Sequence, residues 1–312
     1  MIATPQTFVR TTLAREGDSG RSWLAGLPSL VEDLLEHWGC VLDGEVLHGG
    51  IGLIVPVRRR SVNDAAVVKV SFPHPGNRQE PDALDVWRGR GAVKLYERDD
   101  ERFAMLLERA QPVTLAQVSD TNEDVAAIAG QLSRRLAVPA PAGLPRLHQQ
   151  AQEWEERLRA DARELSHTLP AYVVDAAVAT VRELGHHQAD RVVHGDLHAR
   201  NILRAEREPW LAVDPKGLAG DPAYDAGTLL KSRVPAFLNA DDLGKTAQRT
   251  LDAFTEAAEL DRERARRWAQ LHAVQATFSG RRHGFRRART GPELLQLTTL
   301  LDQLAEVLTH RS

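Results

Sequence analysis

The stretch Arg191-Val192-Val193-His194-Gly195-Asp196-Leu197-His198-Ala199-Arg200-Asn201-Ile202-Leu203, followed by Trp210-Leu211-Ala212-Val213-Asp214-Pro215-Lys216-Gly217, decides the reading of this chain. Residues 191–193 and 211–213 are short apolar runs of the kind that end strands. Between them lies a tight polar loop with a carboxylate, Asp196, and an amide five residues later, Asn201. A second carboxylate, Asp214, closes the next strand. Phosphoryl transfer asks for this set. One Asp orients the attacking hydroxyl, while an Asn and another Asp hold magnesium against the phosphates. An Asp and an Asn five apart can both turn inward from one loop. His194 fits a bracing role, hydrogen-bonding the loop rather than entering the chemistry. A lone Asp-x-x-x-x-Asn describes many strand-to-strand loops. The ordered string with Asp-Pro-x-Gly behind it is far more specific.

Residues 194–203, 214–217 and Gly220-Asp221-Pro222-Ala223-Tyr224-Asp225 resemble the aminoglycoside phosphotransferase family, and within it the branch of streptomycin 6-kinases and hydroxyurea phosphotransferases. The resemblance implies the fold of the eukaryotic protein kinases, with His-Gly-Asp in place of His-Arg-Asp and Asp-x-x-Gly in place of Asp-Phe-Gly. The activation segment with its Ala-Pro-Glu marker is missing. The fold class expected is therefore α+β and bilobal: a small lobe of antiparallel sheet plus helix, and a larger, mainly helical lobe. The expected boundaries are 1–107 for the small lobe, 108–113 for the hinge and 114–312 for the large lobe. The resemblance also implies that Asp225 anchors the catalytic loop from a helix start, although an Asp in a first helical turn is favoured there in any case.

The bulk properties set outer limits. The 312 residues suit two lobes, and 42% hydrophobic content supports a sizeable core. A formal charge of −3 announces neither nucleic acid nor an anionic membrane. The single cysteine, Cys40, forms no disulfide within the chain and fits a reducing cytoplasm. Arg10, Arg15, Glu16 and Asp18 precede any long apolar run, which does not read as a secretory signal. No protein partner is evident.

In chain order, residues 1–20 lack clear periodicity and read as partly extended. Trp23, Leu24, Leu27, Leu30, Val31, Leu34, Leu35 and Trp38 recur at three and four, predicting an amphipathic helix over 21–38. Three strands follow at 41–47, 53–59 and 65–72. The turn His48-Gly49-Gly50-Ile51-Gly52 lets backbone N–H groups approach a phosphate, so Gly49, Gly50 and Gly52 are candidate nucleotide contacts. It is not a full Gly-x-Gly-x-x-Gly, and an ordinary hairpin has the same look. Lys69 sits among Val67, Val68 and Val70, where a charge is costly to bury unless paired. The kinase template gives it the α- and β-phosphates and a helix glutamate. A helix over 77–88 offers Glu80 as that partner, with Asp82 and Asp85 as rivals and Pro81 confined to the first turn. Strands at 92–96 and 102–107 complete a five-stranded sheet.

The segment 105–110 reads as the last strand and the hinge. The resemblance implies that backbone groups there meet a purine edge, which names Glu108 and Ala110 by position. Met105 sits where such families control access behind the base, and is equally well a core methionine. Helices are predicted at 124–136, 149–165, 171–184, 241–258, 261–280 and 292–309, with a proline-rich break at 138–145. The basic run 281–289 reads as a solvated helix end. The resemblance implies ATP, with GTP left open, and Mg2+ as cofactors. For a polycationic acceptor, acidic side chains suit, and Asp221, Glu256 and Glu259 are the candidates. Streptomycin, hydroxyurea and a small alcohol metabolite all stay open as acceptors. A kinase-like binding module would be expected to lack one of Lys69, Asp196, Asn201 or Asp214, and all four are present.

Overall fold

Alternation along two strands sets the layout of the N-terminal half. The structure, a computed structural model, describes residues 2–118, 121–285 and 290–310. In β3 (Gly52–Arg59) and β4 (Ala65–Ser71), Leu53, Val55, Val57, Ala66, Val68 and Val70 are fully buried. They share one face with Phe8, Leu27, Val31 and Leu34 of α1 (Gln6–His37), which covers that side of the sheet. The intervening residues Gly52, Ile54, Pro56, Val67 and Lys69 face the opposite way, into a cleft. The remaining strands are β1 (Cys40–Leu42), β2 (Leu47–His48), β5 (Leu95–Asp99) and β6 (Ala104–Glu108). The antiparallel order is β1-β3-β4-β6-β5, with β2 paired to β3. α2 (Glu80–Trp87) packs on the cleft side.

Three expectations are corrected here. The first helix starts at Gln6, not at 21, and is interrupted at Gly17 (φ 59°, ψ −130°). Its first half carries few apolar side chains, and its order comes from tertiary burial of Phe8 and Thr12. The sheet has six strands rather than five, because 41–47 divides into two short strands. The strand expected at 92–96 begins only at Leu95. Ala92 instead bridges Ala212 of the larger lobe, and Val93 N–H donates to the Ala212 carbonyl (3.2 Å).

After β6 the chain crosses over. Gln111 N–H donates to Arg204 O (2.8 Å), and the following residues are mainly helical. The larger lobe contains α3 (Leu115–Val118), α4 (Asn122–Leu136), α5 (Ala151–Glu164), α6 (Ala171–Thr180), α7 (Tyr224–Arg233), α8 (Leu243–Ala258), α9 (Arg262–His283) and α10 (Gly291–Val307). Two small antiparallel strand pairs lie within it. β7 (Arg191–Val193) pairs with β10 (Leu218–Gly220), and β8 (Ile202–Arg204) with β9 (Trp210–Ala212). Trp268, Phe254, Phe237 and Phe278 fill its core. Among the described residues, no helix is long and apolar enough to cross a membrane.

Candidate active site

The two strand pairs of the larger lobe frame the quoted stretch. β7 ends at Val193 and β8 begins at Ile202, so residues 194–201 form one loop between two sheets. His194 is fully buried, and its ring braces the loop. Nε2 lies 3.1 Å from Val213 O, and Nδ1 accepts from Asp196 N–H at 3.2 Å. This pattern makes Nε2 the protonated nitrogen. The ring stacks on Trp87 of α2, with centroids 6.1 Å apart. Burial pulls the imidazole down to about 4. Asp225, in the first turn of α7, accepts from His194 N–H (3.0 Å) and Gly195 N–H (2.9 Å). Burial pushes its carboxyl up to about 7.

Within this frame Asn201 Nδ2 donates to the Asp196 carbonyl (3.0 Å), and Val213 N–H donates to Asn201 O (2.9 Å). With its amide N–H₂ turned to Asp196, Asn201 leaves its side-chain oxygen for the cleft. Asp214 has φ +60°, a left-handed backbone that is uncommon away from glycine. That turn sends its carboxylate toward the small lobe. Gly217 (φ +61°) follows, packed so closely that a Cβ there would run into the Gln79 carbonyl at the start of α2. The metal-loop segment and α2 therefore fit together only with glycine at this position.

Lys69 meets both. Its Nζ lies 2.5 and 2.7 Å from the two Glu80 carboxylate oxygens and 2.7 Å from Asp214 Oδ1. Glu80 is thus the helix partner, while its rival Asp82 pairs with Arg98 (2.8 Å). Burial alone would lower the Lys69 ammonium, but Asp214 and Glu80 outweigh it and hold it above its ordinary value. Attraction to Lys69 holds the Asp214 carboxyl well below the usual carboxylate range. Burial pushes Glu80 up to about 7. Lys69 is the ammonium bonded to both carboxylates, and Lys216 adds a weaker attraction to each.

These residues line one cleft of about 720 Å³. Its walls include Gly49, Gly50, Gly52, Lys69, Glu80, Glu108, Ala110, Asn201 and Asp214. The Glu108 carboxylate is already taken by Arg207 (2.8 and 2.9 Å) and Lys94 N–H (3.0 Å), and its own N–H donates to Lys94 O (2.9 Å), which leaves its carbonyl as the group to meet a ligand. Met105 is buried on β6, its Cα paired with that of Lys69. Asp196 is not among the residues that line the cleft; it touches one of them, Asn201, whose Nδ2 lies 3.5 Å from its Oδ2, and His198 Nε2 is 3.7 Å from the same oxygen.

The sequence model of the aminoglycoside/hydroxyurea antibiotic resistance kinases matches residues 37–284. The chain belongs to that family. It is a phosphotransferase that acts on a hydroxyl group, an antibiotic-modifying kinase. A streptomycin 6-kinase of Streptomyces griseus is 38% identical over 278 residues, covering 89% of this kinase and 90% of the relative. A hydroxyurea phosphotransferase of Kitasatospora aureofaciens is 35% identical over 278 residues, covering 88% and 79%. Among solved structures, an aminoglycoside phosphotransferase in ternary complex with ADP and hygromycin B aligns with a TM-score of 0.58 at 13% identity. The match covers 89% of this kinase and 98% of that chain. The fold is protein-kinase-like.

None of the three acidic residues named for the acceptor lines the cleft just described. Asp221 is buried inside the larger lobe. Its carboxylate accepts from Ala223 N–H (3.0 Å), from Trp268 Nε1 (2.7 Å) and from Arg264 Nε. It ties the start of α7 to α9 and presents no free carboxylate. Glu259 ends α8 in a left-handed conformation and pairs with Arg134 (2.7 Å). Glu256 is exposed on α8 and is not among the cleft residues. Of the basic run, Arg281 pairs with Asp302, and Arg282 with Asp161 and Glu164. Residues 286–289 lie outside the described residues.

Sequence reasoning missed a clamp at the hinge. Arg109 donates to the Asp43 carbonyl (3.0 Å) and carboxylate (2.6 Å), and Arg207 donates to Gly89 O (2.7 Å) and Ala92 O (3.0 Å). Arginines in loops carry no periodic signal, so nothing local marked them.

Proposed function

We propose that this kinase transfers the γ-phosphoryl group of ATP to the 6-hydroxyl of streptomycin. One observation carries the reading: Lys69 and Glu80 from the small lobe, and Asn201 and Asp214 from the large lobe, line one cleft, and Asn201 is hydrogen-bonded to Asp196. In this reading the purine lies against the backbone of Glu108 and Ala110. Lys69 and the glycine turn hold the phosphates, and Asp196 orients the acceptor hydroxyl. The rate comes chiefly from positioning and from neutralising charge.

Asn201 and Asp214 suit Mg2+. An amide oxygen and a carboxylate are hard donors, and Mg2+ takes one or two protein carboxylates with waters and phosphate oxygens rather than a full protein cage. When bound, the ion would neutralise phosphate charge. The role of this chain's own residues is to keep Asp214 ionised through Lys69 and to turn Asn201 toward the cleft through Asp196 O.

A second acceptor, hydroxyurea, is favoured by a separate observation. Asp221 is already paired with Arg264 and Trp268, and Glu259 with Arg134, and a small neutral acceptor needs no acidic wall. The test is ATP consumption across streptomycin, other aminoglycosides, hydroxyurea and small alcohols, with Asp196→Ala as control. Turnover with streptomycin, lost in the variant, supports the first reading. Turnover with hydroxyurea alone supports the second, and turnover unaffected by Asp196→Ala refutes the assigned role of that residue.

A further inference from the structure

The glycine turn is held from outside the sheet by the first half of α1, which precedes the matched family segment at residue 37. Every carbonyl of the turn has a partner. Gly52 O accepts from Gly49 N–H (2.8 Å), and Ile51 O from Phe72 N–H (2.9 Å). Gly50 O accepts from Arg15 Nη1 (2.8 Å), and Gly49 O lies 2.9 Å from His48 Nδ1. The other nitrogen of that ring, Nε2, is 2.9 Å from Thr7 Oγ1 of α1. The Phe8 ring lies against the imidazole at 5.5 Å. This arrangement assigns the proton to Nδ1, with Thr7 donating to Nε2.

The N–H groups of Gly50 and Ile51, in contrast, have no protein acceptor among the described residues. Across a trans peptide the C=O and N–H point in opposite directions. With Gly50 O fixed on Arg15, the Ile51 N–H of the same peptide unit points away from α1. Gly49, Gly50, Ile51 and Gly52 line the cleft. Two adjacent free N–H groups on such a turn form an anion-binding concavity.

The backbone of α1 is shaped for this contact. At Gly17 the chain takes φ 59°, ψ −130°, a conformation that only glycine adopts without strain. Beyond the break, Gly20 comes so close to Thr12 and Glu16 that a Cβ would lie 2.8 Å from Glu16 Cβ. The break redirects residues 6–16 over the turn, where Arg15 also holds Glu16.

We propose that Arg15 is a positioning residue for the nucleotide phosphates. It acts through the Gly50 carbonyl to aim the Gly50–Ile51 N–H groups at the β- and γ-phosphates, and Gly17 supplies the bend that brings it there. The proposal rests on the ATP reading above.

The test uses the full chain and measures the affinity of AMP-PNP and of adenosine by calorimetry, with ATP kinetics alongside. Arg15→Ala is expected to weaken AMP-PNP by roughly tenfold, the scale of one charge-assisted hydrogen bond lost. Adenosine affinity, acceptor KM and Tm should stay near wild type, and KM for ATP should rise. Arg15→Lys, which keeps one donor, should recover part of the loss. Gly17→Ala should act in the same direction. Equal loss of AMP-PNP and adenosine together with a lowered Tm, or unchanged AMP-PNP affinity in Arg15→Ala, would overturn the role of Arg15 alone. A wild-type chain that binds neither AMP-PNP nor ATP would overturn the nucleotide reading, and this proposal with it.

Discussion

Lys69 of β4 and Asp214 of the larger lobe lie 2.7 Å apart, Nζ to Oδ1, so the cation assigned to the phosphates is tied to the carboxylate assigned to the metal. Glu80 holds the same ammonium from α2. The pair links the lobes through a contact that ligand and metal would both alter.

Because one ammonium is bonded to two carboxylates, Lys69 and Glu80 should differ in their cost of removal. Lys69→Met leaves Glu80, 2% exposed, without its counter-ion. A loss of about 3–5 kcal/mol is expected, the scale for stripping one partner from a buried ion pair. Glu80→Gln leaves Lys69 paired with Asp214 and should cost clearly less. Urea unfolding of both variants without nucleotide or Mg2+ checks the order, and equal costs would count against a shared cation.

Asp225 acts on the loop rather than on the substrate. Its carboxylate accepts from two consecutive backbone N–H groups, and Asp225→Asn offers one oxygen where two are used. The buried N–H left facing an amide should cost about 1–3 kcal/mol. The catalytic loop also loses its register, so kcat should fall by roughly tenfold or more while KM for ATP moves little. A variant that changes KM for ATP and spares kcat would contradict this.

Asp221 gives a case in which burial, not catalysis, decides. Arg264→Ala removes a partner from a carboxylate that is 3% exposed. The variant should lose roughly 3 kcal/mol or more, yet keep its acceptor KM at temperatures where it is folded. A large rise in acceptor KM without loss of stability would return Asp221 to the acceptor site.

What was legible in the sequence was what chemistry or alternation writes locally. Asp196 and Asn201 stand five apart in one loop, and Lys69 interrupts a β-branched strand. Val68 and Val70 mark one face of β4, Val67 and Lys69 the other. What stayed hidden depends on partners far along the chain. Asp221 meets Arg264 and Trp268 only 43 and 47 residues later, across α7 and α9. Residues 6–16 are helical because Phe8 and Thr12 are buried against the rest of the lobe, a reason absent from their own spacing. Arg15 is 35 residues from Gly50.

Two buried groups, His194 in the catalytic loop and Asp225 that anchors it from α7, should give opposite pH signatures in the protein without nucleotide or metal. His194 titrates near 4 when folded, below its ordinary 6.5, so folding favours its neutral form. Its contribution is complete above about 6.5 and is lost as pH falls toward about 4, since the unfolded chain binds the extra proton in that window. At about 1.4 kcal/mol per unit the whole effect is about 3.5 kcal/mol. Asp225 is shifted the other way, to about 7 from an ordinary 3.8. Folding favours its protonated form, and that contribution is complete below about 3.8 and lost as pH rises through about 7. In wild type the two slopes oppose each other, so the variants must separate them. The stability of wild type minus that of His194→Gln should grow from pH 4 to 6.5 and then level off. The stability of wild type minus that of Asp225→Asn should shrink over the same range. Chemical unfolding at half-unit steps from pH 4 to 8 reads both differences, and parallel slopes would show that burial does not set the charge of these two groups.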